Sequence, residues 1–445
     1  MIYQIILFIL LSQLILGLKN IKYAIIILII ITFLIPNILK FNLGGINLNV
    51  FNLSTVILAL CSWKYLKQTN LLYPALKKQI LFIISYVLII AIFTTIGKYG
   101  FGFWVKNSIL YIMEFYIVAY CLLYIKLDIK SIHWINISIT IAAVIVSLYA
   151  ITNYITKINP YITYVSLLTN TVDASEAFIG EERGALAGRV TGTFTHPLIL
   201  GQMMLLTFSY LIFQLKREKY KLISLILCLI LICPIVLCGS RSALFPLALI
   251  PIFYAFYLGA KKLIKYAFVA ILLLPLFVSS LPKEYKATAE AMIYVWDSSK
   301  SEKVGINGSN KDMRKNQIND ALKIIDNNPL FGKGNGYVKE YGSNHSEMLG
   351  YEGLLLYSLV DLGILGSILF LIFYLFLYRY LLVKAKSPKE KAQATSLCGC
   401  YFICILLTGI SYGTFSFFFL LYVLTLNTFR INDENRIEYQ SQPII

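Results

Sequence analysis

Apolar residues run along this chain in long blocks, most of about 17–25 positions, separated by short polar breaks. The blocks fall at roughly 2–18, 21–39, 48–66, 80–97, 107–126, 133–155, 195–215, 221–238, 242–259, 263–281, 351–378, 396–410 and 412–428. A helix needs about 20 such residues to cross the hydrocarbon core of a bilayer. Only helices and closed barrels satisfy every backbone group there. The blocks are continuously apolar rather than alternating, so they predict an all-α integral membrane protein with about 12–13 transmembrane helices. The first block has no basic residue before it and no small-x-small cleavage site, which reads as a retained helix rather than a signal peptide.

The polar breaks set the orientation, because cytoplasmic loops carry the excess of Lys and Arg. Breaks at 19–22, 64–79, 126–132, 216–221, 261–265 and 379–391 hold 20 such residues, against 7 in the alternating set at 40–47, 98–106, 156–194 and 239–241. The first set is therefore cytoplasmic. By parity, residues 156–194 and the longest hydrophilic segment, 282–350, lie outside. The C-terminal tail lies inside if 396–428 forms two helices. Three units follow: helices in 1–281 with an outer loop at 156–194, the large outer loop 282–350, and C-terminal helices with the tail in 351–445. The large loop holds 10 basic and 9 acidic residues, a helical stretch from Asp312 and a turn-rich run from Asn328 to Tyr337. It reads as an ordered cap containing short helices.

Composition agrees with this picture and removes alternatives. The chain is 58% hydrophobic and 14% charged, with a mean hydropathy of +0.74. Soluble domains run about 25% charged, so a water-soluble enzyme is excluded. The net charge of +17 reads as cytoplasmic anchoring of the helices, with no nucleic-acid partner. Eight cysteines lie almost wholly in apolar blocks without CxxC or Cys/His ligand spacing. They argue against a disulfide framework or a metal site and read as packing residues. No repeat of 20–50 residues, and no clear inverted repeat of broken helices of the kind many transporters show, is visible.

The chemistry-bearing residues concentrate on the outer side. His345, in Gly342-Ser-Asn-His-Ser-Glu347, is the side chain best suited to proton transfer near neutral pH. It fits a solvated loop histidine as well. His196, directly before Pro197, suits a helix cap or an interfacial position. Three outer arginines, Arg189, Arg241 and Arg314, have the bidentate geometry that grips phosphate oxygens; taken singly, each also fits a snorkelling or salt-bridged residue. Glu114 and Asp361 are acids inside apolar blocks, where ionisable groups are costly. Asp361 could orient a group in a site or make a helix–helix hydrogen bond, and Glu114 would also suit a proton-coupled transporter. The glycines of Phe331-Gly-Lys-Gly-Asn-Gly336 follow no strand and precede no Gly-Lys-Ser/Thr, so they shape a tight turn and not a P-loop.

The order of these segments resembles a known family. Gly188-Arg-Val-Thr-Gly-Thr-Phe194 precedes one helix, and Gly239-Ser-Arg-Ser-Ala243 joins two others. The large loop then holds an Arg, the Asn328-Pro-Leu-Phe-Gly-Lys-Gly334 run and Asn344-His-Ser346, and feeds a helix with Asp361-Leu-Gly-Ile-Leu-Gly366. This resembles the O-antigen ligase and O-antigen polymerase superfamily of bacterial envelope polysaccharide enzymes, most strongly over about 185–370. The resemblance implies a GT-C-like, inverting glycosyltransferase of the cytoplasmic membrane that needs no metal or other cofactor. Its substrate would be an oligosaccharide linked to undecaprenyl diphosphate, held among membrane lipid. His345 matches the loop base, Arg241 and Arg314 the residues that hold the diphosphate, and Arg189 a recurrent basic position, with Asp361 and Asn344 in support. The implied partners are a polysaccharide chain-length regulator and a flippase. Polymerisation of capsular or O-antigen repeat units is the leading expectation, transfer to a lipid A core the second. A flippase or transporter of lipid-linked oligosaccharide is the rival from another class.

Overall fold

The computed structural model describes residues 2–66, 73–171, 176, 178, 182–183, 186–215, 221–259, 311–338, 353–410 and 413–440. Every apolar block except 263–281, which lies outside the described residues, is occupied by helix. In chain order the elements are α1 (Ile2–Lys19), α2 (Ile21–Leu34), strands β1 (Lys40–Leu43) and β2 (Ile46–Asn49), α3 (Val50–Leu66) and α4 (Pro74–Tyr99). Then come α5 (Phe101–Tyr111), a π-helical turn (Ile112–Tyr116), α6 (Ile117–Leu122), α7 (Ile129–Thr156) and α8 (Pro160–Thr169). A two-residue ribbon, β3 (Glu182–Arg183) with β4 (Leu186–Ala187), leads to α9 (Pro197–Gln214), α10 (Lys221–Leu237) and α11 (Arg241–Tyr257). The chain continues with α12 (Lys311–Ile325), α13 (Leu354–Lys384), α14 (Pro388–Thr408) and α15 (Thr414–Gln440). The block at 396–428 thus forms parts of two helices, as the parity of the tail requires.

Among the described residues seven helices are long and apolar enough to cross a membrane, and four shorter apolar helices accompany them. This is an all-α integral membrane protein whose peripheral helices turn apolar faces outward. Phe8 is 72% exposed on α1 and Leu222 69% on α10, positions that suit lipid contact. The centre is different. α9 is buried almost all round, as is α15, the pattern of a helix enclosed by other helices. Around them α14 packs against both α9 and α11, and α2 against α7.

Polar groups stitch the helices where lipid offers no alternative partner. Gln13 Nε2 on α1 donates to Ala24 O at 3.1 Å and to Ser54 O at 3.2 Å, tying α1 to α2 and α3 at once. The Tyr210 hydroxyl donates to Asn136 Oδ1 at 2.8 Å, and the Tyr422 hydroxyl to Leu377 O at 2.8 Å. At one end of the bundle, Arg436 and Glu390 pair at 2.9 Å and Arg430 Nη2 donates to Leu127 O at 2.8 Å. That end gathers segments that the Lys/Arg count assigns to the cytoplasm. Asp128 caps α7 there, and hydrogen bonds from Ser131 hold its carboxyl below the usual range.

The β1–β2 hairpin was not foreseen by the all-helical reading. Its turn is Gly44-Gly45, with φ of 58° and 83°, the left-handed pair that a two-residue hairpin loop demands. It sits at the opposite end of the bundle, where α2, α9, α11, α13 and α15 also begin or end.

The α1–α2–α3 corner gives a graded test. A Cβ on Gly17 would lie 2.7 Å from Cys61 Sγ and 2.8 Å from Ala24 Cβ. G17V is therefore expected to cost about 1–3 kcal/mol by overpacking. Q13L removes two interhelical hydrogen bonds and should cost less, about 1 kcal/mol. Thermal unfolding midpoints in detergent check the ranking, which is refuted if Q13L is the more damaging.

Candidate active site

The geometry begins with a break in α13. Gly363 has φ 71° and ψ −170°, far from helical values. In an intact helix the amides of residues 364 and 365 would bond the carbonyls of 360 and 361. Here that pairing is exchanged with another segment. Ile364 N donates to Pro329 O at 2.9 Å and Leu365 N to Leu330 O at 3.2 Å; in return Lys333 N donates to Val360 O at 2.9 Å and Gly334 N to Asp361 O at 2.8 Å. The turn at 329–334 thus supplies partners for the two amides and two carbonyls that these two lost bonds leave free. The two chains meet backbone to backbone because both carry glycine. A Cβ on Gly332 would stand 2.6 Å from Gly363 N and Val360 O, and one on Gly363 would stand 2.3 Å from Leu330 O. Beyond the break, residues 364–384 alone are about 30 Å long, enough to cross the hydrocarbon core.

Asp361 completes this clasp. Its side chain is buried, and the two carboxylate oxygens accept from Gly336 N and Val338 N, each at 2.9 Å. Through these two bonds the acid holds the segment Gly336–Val338 against α13. Beneath it Ala321 and Ile325 of α12 pack with Tyr337, Val338 and Val360 in a small core of their own. α12 is thereby fixed to α13, and the backbone of Arg314 stands in its first turns. The Arg314 side chain, Asn344 and His345 lie outside the described residues. His345 belongs to the 339–352 stretch, whose flanks are Val338 on the Asp361 carboxylate and Gly353 at the start of α13.

Next to the clasp lies a cavity of about 320 Å³. The π-helical turn carries Glu114 to its wall, and Asp361 and Asn335 line the facing side. Single π turns of this kind recur at functional sites. The two intramembrane acids of the sequence therefore share one cavity. Ser416 on α15 donates to the Glu114 carbonyl at 2.5 Å, and Asn107 lies against Gly336, where a Cβ would come within 3.2 Å of its Cγ.

The arginines form a second cluster. Arg189 is buried; its Nε donates to Cys238 O at 2.9 Å and its guanidinium lies over the Phe178 ring at 5.7 Å. Its stem passes Gly239, φ 61°, where a Cβ would be 3.4 Å from Arg189 Cγ. Arg189 thus clamps the junction between α10 and α11, and Arg241 opens α11 beside it, half-buried. Phe178 also meets His196 edge-to-face at 4.6 Å, and His196 Nδ1 accepts from Leu198 N at 3.1 Å. His196 is the helix cap that its place before Pro197 suggested.

α9 joins the two clusters. Gly201 faces the junction, where an added Cβ would meet Cys238 Sγ at 2.9 Å. The next residue, Gln202, donates to Thr408 Oγ1 at 3.0 Å and Gly409 O at 2.8 Å, both on the cavity wall. The structure thus brings Arg189 and Arg241 together, places Asp361 with Glu114, and sets the pairs on two sides of α9. Gln202 and Asn107 were not singled out in the sequence; the signal was an amide inside an apolar block.

The O-antigen ligase family matches residues 226–371. No curated protein matches the chain. The matched span takes in the α10–α11 junction with Arg241, α12, the turn, His345 and the break at Gly363. Glu114 and Arg189 fall outside it. Over that span the resemblance to the O-antigen ligase and polymerase superfamily is upheld.

Two substitutions test the clasp. G332A should cost on the order of 2–4 kcal/mol, since the added carbon meets backbone in a left-handed conformation. D361N keeps the shape but turns an amide donor toward a backbone N–H, costing about 1–3 kcal/mol. Hydrogen exchange at Gly336 and Val338 should speed up in both. Unchanged exchange would show that Asp361 does not hold the cap.

Proposed function

Because residues 226–371 match the O-antigen ligase family, we propose that this protein is a glycosyltransferase of the cytoplasmic membrane. In this reading it passes oligosaccharide from undecaprenyl diphosphate to a sugar hydroxyl on the outer face. What carries the reading is that the match covers the turn at 329–334, the break at Gly363 and the 339–352 stretch with His345 between them. The large loop then faces outward, as the Lys/Arg distribution predicts.

The chemistry follows from the residues. His345 takes the proton of the acceptor hydroxyl, and the oxygen attacks the anomeric carbon of the donor glycan. One C–O bond forms and the bond to the diphosphate breaks, so undecaprenyl diphosphate leaves with the electron pair and the anomeric centre inverts. Arg241 and Arg314 meet the charge that develops on the diphosphate. Arg189, with Nε engaged by the Cys238 carbonyl, acts through the junction that presents Arg241. Positioning and charge stabilisation supply the rate, and no metal is required. Asn344 and Asp361 support the loop that carries the base.

The acceptor we favour is a second lipid-linked repeat unit, which makes the protein a polymerase of capsular or O-antigen type. A flippase that delivers the substrate and a regulator of chain length are the partners such a reaction needs.

Purified protein in nanodiscs, given a short undecaprenyl-diphosphate-linked repeat unit in the presence of EDTA, should yield a ladder spaced by one unit. H345A should slow it roughly 10²–10⁴-fold. Transfer only after a lipid A core is added would make the protein a ligase. Movement of the lipid-linked headgroup across the bilayer without product would instead establish a transporter.

A further inference from the structure

α7 carries its own depth scale. Trp134 and Tyr154 stand 20 residues apart on it, about 30 Å of helix, which matches the thickness of the hydrocarbon core. Aromatic residues mark the two membrane–water boundaries, and Lys157 lies over the Tyr154 ring at 3.9 Å. Between them Ile141, Ile145 and Leu148 form one exposed stripe at helical spacing. α7 therefore meets lipid along this side and leaves the hydrocarbon core near Tyr154.

α8 starts six residues further on, past the left-handed turn at Lys157, φ 57°. Its 10 residues make about 15 Å of helix, half of what a crossing needs. No charged side chain lies between Lys157 and Asp173. Ile162, Val165 and Ser166 face the protein, and the opposite face shows Tyr164, Leu167 and Leu168. Leu167 is 72% exposed and Ile158, just ahead of the helix, 58%. Isolated exposed leucines are ordinary, but these continue the stripe of α7 through Ile155 and Ile158. A helix apolar on both faces suits a place between protein and lipid.

α8 is also tied to the arginine junction. Asn159 caps it, accepting from Ile162 N at 3.2 Å and from the Tyr149 hydroxyl of α7 at 2.9 Å. The same side chain donates through Nδ2 to Thr191 Oγ1 and Gly192 O, both at 2.8 Å. The Tyr161 hydroxyl donates to Leu34 O at 2.8 Å, at the end of α2. Arg189 lies two residues before Thr191, and Val190 N donates to Leu237 O at 3.3 Å. The segment 189–192 thereby joins α8 to the junction of α10 and α11.

We propose that α8 is an interfacial helix. Its face of Tyr164, Leu167 and Leu168 sits at the boundary between phospholipid headgroups and acyl chains, and Asn159 holds the segment carrying Arg189 at that depth. The lipid is recognised by apolar burial rather than by headgroup charge, since this face carries no charge of its own. The inference stands apart from the glycan-transfer reading. Under that reading it sets the arginine junction near the level of the phosphates of a lipid carrier.

Tryptophan quenching in nanodiscs tests the seating. The full chain with L167W, or with L168W as a second probe, is compared with its parent, so that the difference reports the added indole. Phosphatidylcholine brominated near the head of its acyl chains should quench that added emission at least about twofold more than mid-chain bromine or aqueous acrylamide does. Added phosphatidylglycerol should leave the pattern unchanged. Stronger quenching by acrylamide would put α8 in water. Protection from all three quenchers would mean a cover of protein, from another segment of this chain or from a second copy. A preference for phosphatidylglycerol would mean recognition of charge. Each of these outcomes overturns the proposal. The hold on the arginine segment is followed by amide exchange at Phe194, whose N–H is bonded to Thr191 O at 3.1 Å. Exchange there should speed up about tenfold in N159A and about threefold in the milder T191V. Unchanged exchange in both would separate α8 from the arginine segment and overturn the proposal as well.

Discussion

A helix broken within apolar surroundings releases peptide groups that lipid cannot satisfy, and each one left unbonded costs several kcal/mol. At Gly363 the chain meets this constraint by borrowing. Two amides and two carbonyls of α13 are bonded by the turn at 329–334, and the Asp361 carboxylate takes two further amides from the same segment. The rest of this end of the bundle depends on it. It fixes α12 and the cap core to the bundle, forms one wall of the cavity, and sets where the chain leaves at Val338 and returns at Gly353. The side chains of Leu330 and Phe331 contribute little to it, being 50% and 42% exposed. The contact is almost wholly backbone, so the residues it demands are glycines and one acid.

The second organising feature is α9, which stands between two clusters of ionisable residues. Arg189 is held by a carbonyl and a ring on one side, and Glu114 and Asp361 share a cavity on the other. Gly201 and Gln202, adjacent in sequence, touch one side each.

Much of this was legible in the chain. The apolar blocks located the described helices, although α14 begins at Pro388, ahead of its block at 396–410, and α15 runs to Gln440, past its block at 412–428; His196 before Pro197 announced its cap. The turn glycines and Asp361 were both conspicuous, but they read as two features, a tight turn and a buried acid. Their partnership runs through backbone atoms about 30 residues apart, and side-chain periodicity carries no trace of such pairing. Arg189 read as a guanidinium suited to phosphate oxygens or as a snorkelling or salt-bridged residue; its burial, with its stem against Gly239, had no signal in the sequence. Asn107 and Gln202 were hidden by the blocks around them, since one amide scarcely alters the hydropathy of 18 residues. The Gly44-Gly45 hairpin was readable at the scale of a turn and was passed over at the scale of a membrane span.

The direction of the clasp along the chain also bears on biogenesis. Residues 329–334 precede 360–365 in sequence, so during synthesis the segment that mends the helix emerges from the ribosome before the flaw it mends. When α13 reaches the membrane, the donors and acceptors it lacks already exist on the nascent chain and need no later helix to supply them. Had the order been reversed, the unpaired groups would have waited on downstream translation. The glycine-rich turn is, in this sense, an intramolecular chaperone for one discontinuous helix.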